Sequence, residues 1–143
     1  MLDVDTLCNC LYFASNKLNR LINRMADEEF SVIGLSTSHA FALMSINMEP
    51  GLSQNELSKI LNIKPSTTSR FIDKLESKGL ASRKVEGKVA YIHPTAEGEK
   101  LKEKIEECWQ NLYHRYSQIL GKEKGAELTT IIYRAANELE DKF

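Results

Sequence analysis

Five consecutive residues, Ser66-Thr67-Thr68-Ser69-Arg70, set four hydroxyls beside a guanidinium. Hydroxyls bond phosphate oxygens and base edges, and a guanidinium can pair bidentately with a guanine. Lys64 and Lys74 flank the run and suit phosphate neutralisation. Such chemistry fits a helix whose first turns enter a DNA major groove about 12 Å wide, where short polar side chains and an arginine reach base edges. The free N–H groups at the helix start add attraction for anions. A second basic group, Arg83, Lys84 and Lys88 around Glu86-Gly87, suits a neighbouring backbone or minor groove. Alone, a Ser/Thr-rich helix start is a capped surface turn and a charged loop is a solvated one. The elements around them must decide.

Ser53-Gln54-Asn55-Glu56 has the form of a capping box, opening a short helix with Leu57, Ile60 and Leu61 inward. Asn62-Ile63-Lys64 makes a tight turn, and Pro65 suits the first turn of the next helix. That helix carries Phe71, Ile72 and Leu75 to Lys78 and closes at Gly79. Two short helices across so short a turn form a helix-turn-helix. Leu80 to Val85 and Lys88 to His93 read as strands joined by Glu86-Gly87, the second with Val89, Tyr91 and His93 alternating against Ala90 and Ile92.

Before this segment, Leu7, Leu11, Ala14, Leu18, Leu21, Ile22 and Met25 recur at three and four, which predicts one long amphipathic helix. Ser36 or Thr37 caps a second, with Ala40, Phe41, Met44 and Met48 on one face before Pro50-Gly51. After it, Thr95 caps a fifth helix with Leu101, Ile105, Cys108, Leu112, Tyr116 and Ile119 on a stripe. Gly121 to Gly125 separates a sixth with Leu128, Ile131, Ile132, Ala135 and Leu139. The expected fold is mainly α with a small β-hairpin wing. It forms one domain over 1–143, with end helices about 4–30 and 122–142, a winged helix-turn-helix about 36–94 and a connecting helix about 95–120. The apolar end helices need a partner surface.

The net charge of −1 looks wrong for a nucleic-acid binder until it is localised. Lys64 to His93 holds seven basic and three acidic residues, a local charge of +4 that leaves −5 elsewhere. There is no basic n-region with an apolar run, and no uncharged apolar stretch of about 20 residues, so a cytoplasmic protein without membrane contact is expected.

Together, LSQNELSKILNIKPSTTSRFIDKLESKGLASRK and the later Pro94-Thr95-Ala96-Glu97-Gly98 resemble the MarR family of bacterial regulators. The most specific piece is Ser69 to Leu75 with Lys78-Gly79-Leu80, which looks like the family's recognition helix and its glycine exit into the wing. The resemblance implies a homodimer whose first and last helices, Leu7 to Met25 and Leu128 to Leu139, interlock. It also implies double-stranded DNA as partner, a pseudo-palindromic operator with half-sites about one helical turn apart, and repression by blocking polymerase. The wing departs from the family pattern. Glu86 and Lys88 stand where an aspartate and a minor-groove arginine are usual, and the loop looks about three residues short. Lysine lacks arginine's planar fork, so minor-groove reading by Lys88 is expected to be weaker.

Three kinds of effector are consistent with the residues. Leu7-Cys8-Asn9-Cys10-Leu11-Tyr12 resembles the start of the family's organic-hydroperoxide-sensing branch, in which Cys8 would be oxidised and Tyr12 would assist; a small apolar filler in a helix interface is the plainer role for Cys8. The branch's other tyrosines are unmatched. A small aromatic or lipophilic effector would sit in a crevice lined by Phe13, His39, Phe41, Met44, Trp109 and Tyr113, although such residues at helical spacing are more often core. Cys8 and Cys10 make a C-x-C spacing, but zinc would need about four convergent ligands, and His39, His93 and His114 are scattered. No metal and no cofactor is expected.

Three scattered cysteines do not make a disulfide framework. No G-x-x-x-x-G-K, G-x-S-x-G or H-E-x-x-H occurs, so an enzyme is not expected. The leading expectation is a sequence-specific transcriptional regulator released by a small effector or by oxidation. Its rival is a winged-helix protein-interaction module or anti-repressor without specific DNA binding.

Overall fold

A computed structural model describes residues 2–143. Its elements, in chain order, are α1 (Val4–Cys8), α2 (Leu11–Phe30), a 3-10 turn (Ser31–Ile33), α3 (Thr37–Met48), β1 (Leu52–Ser53), α4 (Gln54–Leu61), α5 (Pro65–Ser77), β2 (Ala81–Glu86), β3 (Val89–Pro94), α6 (Ala96–Lys100), α7 (Lys102–Leu120) and α8 (Lys122–Lys142). The fold is mainly α with a small antiparallel sheet, as the sequence predicts. The chain divides into two compact units, residues 1–108 and 109–143.

The expected helix–turn–helix is present in the first unit. Ser53 Oγ accepts from the Glu56 N–H and caps α4, while Pro65 opens α5. Between them Asn62 takes the left-handed conformation, φ 55°. Its N–H donates to the Lys59 carbonyl at 3.2 Å and that of Ile63 to Ser58 at 3.1 Å, the Schellman arrangement that satisfies the last carbonyls of a helix.

The sheet has three strands in the order β1-β3-β2. The hairpin runs one residue later than expected: Glu86 pairs with Val89, so Gly87 and Lys88 make the turn. Gly87 has φ 64°, and a two-residue loop with positive φ at its first position favours glycine. The added strand is β1, with Leu52 opposite Ile92 and Ser53 opposite Tyr91. Two residues are too short for alternation to reveal.

Phe30, Leu43, Ile46, Leu57, Ile72, Leu75, Ile92 and Ile105 are fully buried in this unit and draw its core from α2 to α7. Two residues expected inside are not. Ile60 is 51% and Met48 62% exposed, because α4 turns Leu57 and Ser58 inward and α3 turns Ala40, Ala42, Leu43 and Ile46.

The first helix is not continuous. α1 ends at Cys8, Asp3 caps its start, and Cys10 is the extended residue before α2. The Asn9 amide side chain donates to the Asp5 carbonyl at 2.7 Å and its backbone N–H to the same oxygen at 3.0 Å, closing α1 two residues before α2 begins. This local side-chain competition with the helix is what apolar spacing cannot show. The fifth helix is likewise split at Leu101.

In the second unit Gly121 alone, φ 92°, separates α7 from α8, and Gly125 lies inside α8 with Tyr116 beside it. Trp109 and Tyr113 stack with centroids 5.8 Å apart, and Tyr116 meets Tyr113 edge-on at 5.5 Å.

One junction fixes the wing's return. Thr95 caps α6 through the Gly98 N–H, donates its hydroxyl to the Gly79 carbonyl at 2.6 Å, and donates its backbone N–H to Leu80 at 3.1 Å. A Cβ on Gly98 would fall 2.0 Å from the Leu80 carbonyl oxygen and 3.3 Å from Leu43. The obstacle is backbone, so Gly98→Ala is expected to cost at least about 1–3 kcal/mol. Chemical denaturation would check this; an unchanged midpoint would contradict the packing.

Candidate nucleic-acid interface

At about 100° per residue, α5 presents three faces. Thr68, Phe71, Ile72 and Leu75 lie toward the body, where Thr68, Ile72 and Leu75 are buried. Ser66, Thr67, Arg70 and Lys74 share a second arc of about 100°; Ser66, Arg70 and Lys74 are exposed and Thr67 is half-buried. Ser69, Asp73 and Glu76, spaced four and three, form the third arc.

The second arc is the expected DNA-reading surface without two of its members, Thr68 and Ser69. Arg70 Nη2 donates to Thr67 Oγ1 at 3.4 Å, and Lys64, which precedes the helix, is exposed beside Pro65. Thr68 does not belong there. It has no exposed surface; its hydroxyl accepts from Ser58 Oγ at 2.7 Å and donates to the Lys64 carbonyl at 3.2 Å. This bond ties α4 to α5 across the turn, so Thr68 is a structural residue rather than a DNA contact. Ser69 is half-buried and turned toward the third arc.

The third arc receives Arg83 from β2. Its Nη2 lies 3.0 Å from Asp73 Oδ1 and donates to the Ser69 carbonyl at 3.1 Å, and Nη1 is 3.8 Å from Glu76 Oε1. The Arg83 backbone N–H donates to Glu76 Oε2 at 3.3 Å. Its side chain is 22% exposed. Arg83, expected to reach DNA, is committed to the protein. The remaining wing cations are free of that clamp: Lys84 is exposed and 3.4 Å from Glu86, and Lys88 is exposed at the turn. Sequence reasoning missed Asp73 and Glu76; their spacing from Ser69 was the available signal.

His39, at the start of α3, lies against the recognition helix. Its ring is 4.7 Å from that of Phe71, and Nδ1 pairs with the Ser36 hydroxyl. Desolvation first, then the charges of Lys74 and Lys78, hold its pKa below the usual histidine value. Lys78 is anchored by donating to the Gly34 carbonyl at 3.3 Å.

The expected effector residues fall in both units, Phe13, His39, Phe41 and Met44 in the first and Trp109 and Tyr113 in the second. A cleft of about 440 Å³ in the first unit is lined by Asn23, Asp27, Ser36, Thr37, Ser38, Phe41, Leu61, Ile63 and Phe71. Of the six expected residues Phe41 lines it, with its ring 5.7 Å from Phe30. Phe13 pairs edge-on with Tyr12 at 5.5 Å, Met44 is half-buried, and Trp109 and Tyr113 stack within the second unit. Cys8 and Tyr12 are both exposed but stand on α1 and α2, with the helix break between them, so their spacing of four does not put them on one helical face. Cys108 is buried; desolvation and the charges of Glu107 and Glu29 raise its thiol pKa and keep it protonated.

The MarR family model matches residues 35–85, from the end of the 3-10 turn into the wing. That stretch is similar to a MarR-family domain. No curated protein matches the chain at a significant level. Among solved structures, the PcaV transcriptional regulator from Streptomyces coelicolor with its natural ligand superposes at TM-score 0.84 and 20% identity, over 96% of this chain and 98% of that one. The MepR–DNA complex from S. aureus gives 0.80 at 20%, over 91% and 98%. A mutant of MarR itself from E. coli, with operator DNA, gives 0.82 at 20%, over 94% and 99%. At these identities the likeness is one of fold. The MarR-type fold thus extends well beyond the matched 51 residues.

The two threonines separate structure from recognition. Thr68→Ala is expected to lose about 1–2 kcal/mol of stability, whereas Thr67→Ala stays within about 0.5 kcal/mol of the parent. Equal urea midpoints for the two variants would contradict the inward placement of Thr68.

Proposed function

We propose that the protein is a sequence-specific DNA-binding transcriptional regulator acting as a homodimer and repressing by occupying a pseudo-palindromic operator. The observation that carries this reading is the outward arc of α5. Ser66, Thr67, Arg70 and Lys74 lie on one side of a helix whose other two sides are held by the core and by Arg83. Thirteen residues make a rod about 20 Å long, suited to a major groove. Arg70 takes the base contact, Ser66 and Thr67 bond phosphate or base edges, and Lys64 and Lys74 neutralise phosphates. Lys84 and Lys88 approach the neighbouring backbone as point charges.

The dimer reading is supported by apolar surface at both ends of the chain. In the first unit Leu7, Leu11, Phe13 and Leu21 are 42–70% exposed; in the second, Ile131, Ile132, Tyr133 and Leu139 are 46–69% exposed. Exposed apolar side chains along both end helices support an interface there. Helices 4–30 and 122–142 are assigned to it, and a two-fold dimer would set two α5 helices one helical turn of DNA apart. Release is assigned to a small effector or an oxidant, with the exposed Cys8 as the thiol available to the latter. No helix among the described residues is long and apolar enough to cross a membrane.

On an operator duplex, Arg70→Ala is expected to cost about 1–3 kcal/mol and relax preference at one base pair. Lys74→Ala should weaken all sequences alike and lower the salt slope by about 1. Anisotropy titrations over a range of salt would separate the two. Unchanged binding by both variants would overturn the reading and favour a protein-docking module.

A further inference from the structure

We propose that Arg83 is a positioning residue that sets the wing against the recognition helix, and that Asp73 and Glu76 serve DNA binding although both are acidic. This inference rests on the DNA-binding reading above. Three observations meet at this arginine. Its guanidinium lies over one turn of α5, bonding the Ser69 carbonyl and the Asp73 carboxylate from the same nitrogen, 3.1 and 3.0 Å away. Glu76 holds it twice, by the side chain at 3.8 Å and by the backbone N–H at 3.3 Å, so strand as well as side chain is fixed. Arg83 also pairs across the hairpin with Ile92, which is fully buried, so the contact transmits to the sheet.

Electrostatics alone would remove Asp73 and Glu76 from this surface. Each stands on the helix that carries Arg70 and Lys74, and each repels phosphate. Their retention beside the recognition arc is explained if the cost in long-range attraction is offset by a fixed angle between α5 and β2. A planar fork can meet a carboxylate and a carbonyl together, which an ammonium on a flexible stem does not. The wing's own cations, Lys84 and Lys88, can track a backbone only from a hairpin held at a set angle.

The test uses the full-length protein with its operator, a scrambled duplex and the variants Arg83→Gln, Arg83→Lys and Asp73→Asn, with circular dichroism to establish folding. A positioning role predicts that Arg83→Gln weakens operator binding about tenfold, leaves the scrambled duplex and the salt slope unchanged, and is not rescued by Arg83→Lys. Asp73→Asn should also weaken operator binding, although it removes a negative charge. A phosphate contact predicts the opposite: a slope lower by about 0.9, equal loss on both duplexes and rescue by lysine. Stronger binding by Asp73→Asn on both duplexes would likewise overturn the proposal. Hydrogen exchange without DNA supplies a separate readout. Arg83→Gln should speed exchange of amides in 81–94; unchanged exchange overturns the clamp. Faster exchange in a protein whose parent shows no operator preference would retain the clamp and overturn the DNA-binding reading instead.

Discussion

A helix that turns about 100° per residue has one circumference to share among its neighbours, and in α5 that share is the constraint on which the site depends. One arc is given to the core through Thr68, Ile72 and Leu75, and a second to the wing through Ser69, Asp73 and Glu76. Only the remainder faces outward. Because two sides are held, the third presents the backbone of Ser66, Thr67, Arg70 and Lys74 at a fixed angle, so that only their side chains remain to be ordered on a ligand. The same helix is fixed at its ends. The Ser58–Thr68 bond secures its start against α4, and the Thr95 bonds to Gly79 and Leu80 secure its exit.

Charge follows from this division. The segment from Lys64 to His93 carries +4, yet its acidic members Asp73 and Glu76 do not simply subtract, since Arg83 sits on them. What remains outward is Lys64, Arg70, Lys74 and the wing lysines. Lys74 and Lys78 also act inward, disfavouring charge on His39 against Phe71. A whole-chain net charge of −1 reports none of this.

Much of the winged helix-turn-helix was legible because its signals are local. Ser53, Pro65, Gly79 and Thr95 announce helix boundaries by what they can cap or cannot continue, and the apolar spacing of α5 separates inside from outside. The losses are equally physical. Thr68 and Thr67 are chemically identical, and only the turn of the helix sends one inward. Arg83 reads as a free cation until the fold brings Asp73 and Glu76, ten and seven residues earlier, beneath it. The break at Asn9–Cys10 arises from a side-chain bond that an apolar stripe does not register. The pairing of Leu52 and Ser53 with β3 depends wholly on tertiary contact.

The central claim is that this surface reads a two-fold DNA sequence. The most direct measurement is selection of fragments of the source genome by the purified protein in reducing buffer at about 0.15 M salt, where non-specific attraction is weakened. The account predicts enrichment of a pseudo-palindrome with half-sites about one helical turn apart. Recovery of fragments sharing no motif would contradict it.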